Sequence, residues 1–145
     1  MGGVIINQLR FVVKNNIVDG ILDYKFYCFN GVPQVLLIAS NRFTTHNFNY
    51  FDMTFHPLPI TSVDGNPIDP SLINKPKLFE EMKTVAQKLS QGKTHVRVDL
   101  YEIAGKVYFG ELTFFDSSGF DNLNSDKIDL EWGSWMTLPP QKCYE

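Results

Sequence analysis

Residues 94–115 read THVRVDLYEIAGKVYFGELTFF, two segments in which apolar and polar residues alternate on either side of a short glycine-containing stretch. Such alternation is typical of strands with one buried face, and the glycine between them predicts a β-hairpin. Gly105 suits the left-handed end of a three-residue loop, Ile103-Ala104-Gly105, which predicts that Arg97 lies opposite Glu111. In that register the even-numbered residues of both arms form one apolar face, and the opposite face carries polar residues. These polar residues are Arg97, Asp99, Glu111 and Thr113.

The hairpin belongs to a larger alternation of strands and helix along the chain. Residues 23–40 hold two runs of strand-forming residues around Asn30-Gly31, a preferred hairpin dipeptide, although Pro33 leaves the register open. Apolar residues recur at helical spacing over residues 74–92, with acids in the first turn. We therefore expect an α+β fold, an antiparallel sheet of two hairpins with the helix covering one face.

The stretch between the first hairpin and the helix, Asn41 to Lys75, shows no regular periodicity. It contains four prolines and also five phenylalanine or tyrosine rings. A flexible linker would not carry so many rings, so an ordered, packed loop is expected rather than a domain boundary. With 145 residues, the chain is predicted to form one domain over residues 1–145.

Composition excludes several classes of function. The formal charge of −3 argues against a general nucleic-acid binder, which normally carries a basic excess. No apolar run approaches the roughly 18 residues of a membrane helix, and the first residues do not show the charged-then-apolar pattern of a signal peptide, so we expect neither a membrane span nor secretion. Cys28 and Cys143 have neither metal-ligand nor redox spacing, which is typical of reduced thiols in a cytoplasmic protein.

The polar face of the second hairpin has the composition of a metal–phosphate site. Asp99, Glu111 and the Thr113 hydroxyl are oxygen donors of the kind that Mg²⁺ prefers, and Mg²⁺ completes its shell with substrate phosphates. Arg97 beside them can fork onto a phosphate or another oxyanion. Spacing alone allows a simpler alternative, in which Arg97 and Glu111 form a cross-strand salt bridge on a solvated face and Asp99 is merely exposed.

Other candidate residues carry weaker signals. Lys25 in the first hairpin is either a nucleotide contact or a solubilising charge on an edge strand. His46, Asp52 and His56 lie in the loop region at no recognised metal spacing, which favours ordinary loop hydrogen bonding. The sequence contains no glycine-rich phosphate loop of a familiar spacing.

Several motifs taken together resemble the TupA-like ATP-grasp proteins. The resemblance runs from about residue 20 to 139. The segments that carry it are Asp23-Tyr24-Lys25-Phe26-Tyr27-Cys28-Phe29-Asn30-Gly31, Arg97-Val98-Asp99-Leu100-Tyr101, Gly110-Glu111-Leu112-Thr113-Phe114, Ser118-Gly119 and Trp132-Gly133-Ser134-Trp135-Met136-Thr137-Leu138-Pro139.

The resemblance implies a role in bacterial capsule and cell-surface polysaccharide biosynthesis, with ATP and Mg²⁺ as cofactors. In ATP-grasp enzymes an Arg-x-Asp strand and a Glu-x-Asn strand hold Mg²⁺-ATP, which implies that Arg97 contacts the transferred phosphate. Asp99 and Glu111 would then be metal ligands and Lys25 a nucleotide contact. Thr113 stands where the wider fold has asparagine, so it would either bind the metal through its hydroxyl or contact the metal ligands without binding the metal itself.

The same resemblance implies the chemistry and the partners. The expected reaction is ligation, in which a carboxylate of a polysaccharide precursor becomes an acyl phosphate and is then attacked by a nucleophile. Alternatives are sugar transfer from a nucleotide sugar, since such proteins are often labelled glycosyltransferases, and a non-catalytic remnant that only binds. Few residues precede Lys25, so the chain is expected to be the C-terminal part of a larger enzyme and to be inactive alone. Its expected protein partner is a missing N-terminal half or another copy of itself.

Overall fold

A computed structural model describes residues 21–40, 46–62, 65–116, 123–138 and 140. A five-stranded, wholly antiparallel sheet has the strand order β3-β2-β1-β4-β5, with one helix on each face. The elements are β1 (Asp23–Phe29), β2 (Val32–Ser40), β3 (Asn47–Asp52), a 3₁₀ turn (Pro70–Leu72), α1 (Phe79–Ser90), β4 (His95–Ile103), β5 (Lys106–Thr113) and α2 (Asp126–Ser134). This architecture confirms the predicted α+β fold. It also makes β1 the central strand, paired with β2 on one side and β4 on the other.

The first hairpin forms as predicted, and a bulge resolves its register. Asn30 and Gly31 both have positive φ, 49° and 79°, which is the geometry of a tight hairpin turn. The pairing shifts by one residue between Tyr27 and Cys28, so that Cys28 lies opposite Pro33. Because proline cannot donate to the ladder, an irregularity next to it costs little hydrogen bonding.

The stretch predicted to be loop contains a strand, β3, which sequence periodicity missed. Two of its six residues, Asn47 and Asn49, are buried asparagines, a residue type that is depleted in strands. Their side chains bond to a neighbouring segment: Asn47 Nδ2 donates to the Asn66 carbonyl at 3.0 Å, and Asn49 Nδ2 donates to the Ile68 carbonyl at 2.8 Å. Tertiary hydrogen bonds therefore compensate for a weak local preference.

Helix α1 covers one face of the sheet through a core of fully buried side chains. These include Phe26, Leu36, Phe79, Met82, Ala86, Val98 and Leu100. The helix is shorter than the predicted 74–92, because the Pro76 carbonyl accepts from Phe79 N in a preceding turn and the helix ends before Gly92, whose φ is +72°. The alternating apolar residues of β4 thus face α1 as expected.

The second face is partly covered by α2, a helix that was not predicted from the sequence. Trp132 packs on Tyr27 with ring centroids 5.2 Å apart, and Trp135 packs on Phe29 at 5.3 Å. No residue of α2 is itself fully buried, so its apolar stripe is too weak for periodicity to reveal. None of the described helices is long and apolar enough to cross a membrane.

Candidate functional site

The β4–β5 turn differs from the predicted three-residue loop. Ala104 and Gly105 alone connect the strands, with φ of 51° and 74°, and Ile103 pairs directly with Lys106. Two positive φ values match the twist of the flanking strands in a two-residue turn. Such a turn by itself would send Asp99 and Glu111 to opposite faces.

A β-bulge at Gly110 returns Asp99 and Glu111 to the same face of the sheet. The register shifts after the pair Leu100–Phe109, so that Asp99 lies opposite Glu111 and Arg97 lies opposite Thr113. The predicted pairing of Arg97 with Glu111 is therefore wrong by two residues, while the expectation that these polar residues share one sheet face is correct. The bulge also moves residues between faces: Val107, expected on the polar face, packs against the core beneath α1.

Arg97 is the centre of a buried group of charged side chains. Its Nε donates to Asp99 Oδ1 at 2.8 Å and its Nη2 donates to Asp99 Oδ2 at 2.9 Å, a bidentate pair, while Nη1 donates to Asp116 Oδ1. Arg97 is only 8% exposed and Asp99 only 1%. The alternative of a solvated surface salt bridge with an exposed Asp99 is therefore wrong.

Lys25 joins the same group from the central strand. Its Nζ lies 2.7 Å from Asp23 Oδ2 and 2.5 Å from Asp99 Oδ2. Because β1 has a neighbour on each side and the Lys25 side chain is 14% exposed, a role as a solubilising edge charge is excluded. Lys25 and Arg97 thus share the Asp99 carboxylate.

Glu111 and Thr113 form the open side of the group. Arg97 Nη2 lies 3.2 Å from both Glu111 Oε1 and Thr113 Oγ1, and the Thr113 hydroxyl donates to Glu111 Oε1 at 3.0 Å. The Glu111 side chain is 61% exposed. We call the whole group the Arg97 cluster. It consists of Asp23, Lys25, Tyr27, Arg97, Asp99, Glu111, Thr113 and Asp116.

The Arg97 cluster carries a net negative charge. With each group in its usual ionised form, its four carboxylates and two cations give a formal charge of −2. Burial opposes the charge of Lys25, but the adjacent Asp23 and Asp99 carboxylates outweigh it and raise the pKa of the ammonium group. Arg97 shows the same balance, since its burial opposes the charge but the hydrogen bonds that it donates to Asp99 and Asp116 raise the pKa of its guanidinium.

Sequence reasoning missed three members of the cluster as site residues, Asp23, Tyr27 and Asp116. The Tyr27 hydroxyl donates to Asp116 Oδ2 at 2.8 Å. Burial opposes the charge of Asp116, but the hydrogen bonds from Arg97 and Tyr27 are stronger and lower the pKa of its carboxyl. Asp116 lies beyond the end of β5, where alternation gives no information. Tyr27 lies two residues after Lys25 on β1, so strand alternation could have placed it on the same face of the sheet.

The remaining histidine candidates form no site. His56 Nδ1 lies 3.8 Å from Asp52 Oδ2 in a turn where the Asp52 side chain accepts from the backbone nitrogens of Thr54 and His56. His46 is exposed and contacts the Phe48 ring. Across the described residues, no group of three histidine, cysteine, aspartate or glutamate side chains is arranged to hold a metal ion.

The donor chemistry at the open side nevertheless fits Mg²⁺. The ion is usually held by one or two carboxylates, with phosphates and water completing its shell, so a cage of three protein carboxylates is not required. Glu111 offers an exposed carboxylate and Thr113 a hydroxyl, both hard oxygen donors. Asp99 already accepts three hydrogen bonds, from Arg97 Nε, Arg97 Nη2 and Lys25 Nζ, which leaves about one lone-pair position for an ion.

Comparison with known proteins gives one match. A family model described as TupA-like ATPgrasp matches residues 5–137, which include every described strand and both helices. Among the motifs that carried the resemblance, Ser118-Gly119 lies outside the described residues. No curated protein and no solved structure matches the chain.

Proposed function

The chain belongs to the TupA-like ATP-grasp family, and we propose that its Arg97 cluster binds the phosphates of Mg²⁺-ATP in a ligation reaction. The observation that carries this proposal is the fixed position of Arg97. Its guanidinium is buried and held from two sides by Asp99 and Asp116, yet its third side meets the exposed Glu111 carboxylate. A cation preorganised in this way stabilises negative charge without first having to reorganise.

In this proposal Lys25 and Arg97 contact phosphate oxygens. The Lys25 ammonium has three donors, and the described residues take two of them, at Asp23 and Asp99, which leaves one N–H for a phosphate. Arg97 Nη1 carries two hydrogens and donates one to Asp116, so the other can contact a phosphate oxygen. Asp99 is then chiefly a positioning residue, because it fixes both cations relative to one another.

Glu111 and Thr113 would hold the metal ion, with Asp99 behind them. When bound, Mg²⁺ would neutralise phosphate charge and orient the phosphoryl group. The reaction class we propose transfers the γ-phosphoryl group of ATP to a substrate carboxylate, giving ADP and an acyl phosphate. A nucleophile then attacks the acyl carbon and phosphate leaves. Arg97 would stabilise the charge that develops on the transferred group.

We assign the substrate to bacterial capsule or cell-surface polysaccharide precursors on the family resemblance alone, and ATP use implies work in the cytoplasm. Sugar transfer from a nucleotide sugar is the second candidate, because the same cluster suits any Mg²⁺-bound diphosphate. Product analysis separates the two reactions. Ligation converts ATP to ADP and phosphate, sugar transfer releases a nucleoside diphosphate from the sugar donor, and a non-catalytic domain does neither.

Binding of Mg²⁺-ADP, measured by calorimetry, tests the phosphate site independently of turnover. Arg97→Lys keeps the charge but loses the bidentate geometry, so we expect it to bind about tenfold or more weakly than the wild type. Lys88→Met removes an exposed cation in the last turn of α1, on the opposite sheet face, and should bind as the wild type does. Failure of the folded wild type to bind Mg²⁺-ADP, or equal affinity of Arg97→Lys, would overturn the proposal.

A further inference from the structure

Two side chains of β5 cover the side of Arg97 that faces the open part of the cluster. Nη2 carries two hydrogens. One of them serves Asp99 Oδ2 at 2.9 Å, and the other is shared between Glu111 Oε1 and Thr113 Oγ1, each 3.2 Å from the nitrogen. These two shared contacts are the longest hydrogen bonds that Arg97 makes. They are therefore the ones that a ligand would displace most easily.

Thr113 holds Glu111 in this position. Its hydroxyl donates to Glu111 Oε1 at 3.0 Å, the same oxygen that faces Arg97. Within the described parts of the chain, the second oxygen, Oε2, has no partner, and the Glu111 side chain is 61% exposed. By contrast, the carboxylates of Asp99 and Asp116 are 2% and 23% exposed and accept two or more hydrogen bonds each. Asp23 is likewise buried, 5% exposed and paired with Lys25. Glu111 is thus the one acid of the Arg97 cluster that can turn outward without leaving a buried charge unpaired.

The charge of the cluster gives this movement a consequence. At a formal −2, the cluster disfavours approach of a phosphate while all four carboxylates remain in place. A divalent cation bound to Glu111 would neutralise the formal charge. It would also draw the carboxylate away from Nη2, which leaves the shared N–H with only the neutral Thr113 hydroxyl as a partner among the described residues.

We propose that Glu111 and Thr113 form a cap on Arg97 that a divalent cation opens, so that phosphate binding at Arg97 depends on the cation. This inference rests on the proposed function, because it concerns how the same site takes its phosphates. It makes a statement that a simple ligand role for Glu111 does not make. If Glu111 is only a metal ligand, Thr113→Val, which leaves the charge of the cluster unchanged, leaves metal-free binding unchanged. If Glu111 and Thr113 cap Arg97, loss of the Thr113 hydroxyl strengthens metal-free binding.

The first experiment needs no nucleotide. The Arg97 Nε–H signal, assigned by its loss in Arg97→Lys, is followed by ¹H–¹⁵N NMR while MgCl₂ is added at constant ionic strength. The cap predicts a saturable shift in the wild type and none in Glu111→Gln. An unmoved Arg97 signal in the wild type, or the same shift in both proteins, would overturn the cap.

The second experiment measures ADP binding in EDTA. We expect Glu111→Ala, which removes every acceptor at that position, to bind metal-free ADP about tenfold more tightly than the wild type, since a charge-assisted hydrogen bond becomes available. Thr113→Val removes the hydroxyl that holds Glu111 without changing charge, and should show a smaller gain in the same direction. Glu81→Gln removes one exposed carboxylate in the first turn of α1, on the other sheet face, and should show no gain.

The two proposals fail in different ways. If the wild type does not bind ADP even with Mg²⁺, the proposed function is wrong, and the NMR titration still judges the cap. If the wild type binds Mg²⁺-ADP but Thr113→Val gains no affinity in EDTA, the cap is wrong and the phosphate site stands, since a gain in Glu111→Ala alone reports the loss of a local charge. A gain in Glu81→Gln equal to that in Glu111→Ala would reduce the effect to net charge and would also reject the cap.

Discussion

Asp99 and Glu111 lie directly opposite each other on β4 and β5, and one extra residue, Gly110, puts them there. The two-residue turn at Ala104-Gly105 alone would have separated them onto opposite faces. The bulge at Gly110, which brings the two residues back to one face, lies next to the candidate site, where bulges commonly reorient a side chain. The geometry of the Arg97 cluster therefore depends on a glycine that contributes no functional group.

We predict that Gly110→Ala destabilises the protein and weakens Mg²⁺-ADP binding. An added Cβ would lie 3.0 Å from the Asp99 carbonyl oxygen and 2.8 Å from Tyr101 Cε2, so backbone must move. Overpacking of this kind costs about 1–3 kcal/mol in the free energy of unfolding, measured by urea denaturation. Gly133→Ala is the matched control, since its Cβ would meet nothing within 4 Å. Equal effects of the two substitutions would contradict this role for Gly110.

We predict that Asp99→Asn lowers the free energy of unfolding by about 3–5 kcal/mol, because it leaves Arg97 and Lys25 as under-compensated buried charges. Glu111→Gln should cost less than about 1 kcal/mol, because its carboxylate is largely exposed. Chemical denaturation of both variants at neutral pH gives the comparison. Similar losses of unfolding free energy in the two variants would contradict the prediction that the buried Asp99 stabilises the protein more than the exposed Glu111.

We predict that stability falls as pH is lowered through the range in which histidine titrates, and that His95 contributes to the fall. Burial lowers the pKa of His95 in the folded state below the ordinary value of 6.5. The unfolded chain therefore takes up a proton at a higher pH than the folded chain. The stability contributed by neutral His95 is present above about pH 6.5 and is lost as pH falls below it.

The free energy of unfolding, measured at about pH 7.5 and about pH 5.5, tests this prediction. His95→Phe keeps a ring against Phe29, whose centroid lies 4.7 Å from that of His95, but cannot titrate. It should lose less stability than the wild type over this interval. His46→Gln changes an exposed histidine and should follow the wild type. An unchanged pH dependence in His95→Phe would show that His95 contributes nothing to the slope.

We predict that the Cys28 thiol does not react in the native protein. Cys28 is fully buried, and burial raises the pKa of its thiol to about 11, so almost no thiolate forms near neutral pH. In a Cys143→Ser background, Ellman's reagent at about pH 8 should detect no thiol until denaturant is added. Rapid labelling of the folded variant would mean that β1 opens far more readily than its central position in the sheet implies.

The sequence by itself determined the two hairpins and the covering helix. Alternation in β4 separated Val98 and Leu100 from Arg97 and Asp99, and the burial of the former against α1 follows from hydrophobicity alone. The motif resemblance to the TupA-like ATP-grasp family is confirmed by the family match. The roles assigned to Lys25, Arg97, Asp99, Glu111 and Thr113 stay predictions.

Only the tertiary structure decided how these parts meet. Alternation does not predict β3, because its buried asparagines, Asn47 and Asn49, bond to a segment 19 residues further along the chain. It does not predict α2 either, because two tryptophans rather than an apolar stripe hold that helix on the sheet. The pairing of β1 with β4 makes Lys25 a neighbour of Asp99, although 74 residues separate them. Local pattern cannot report contacts at that separation, because alternation specifies the face a side chain takes but not the strand beside it.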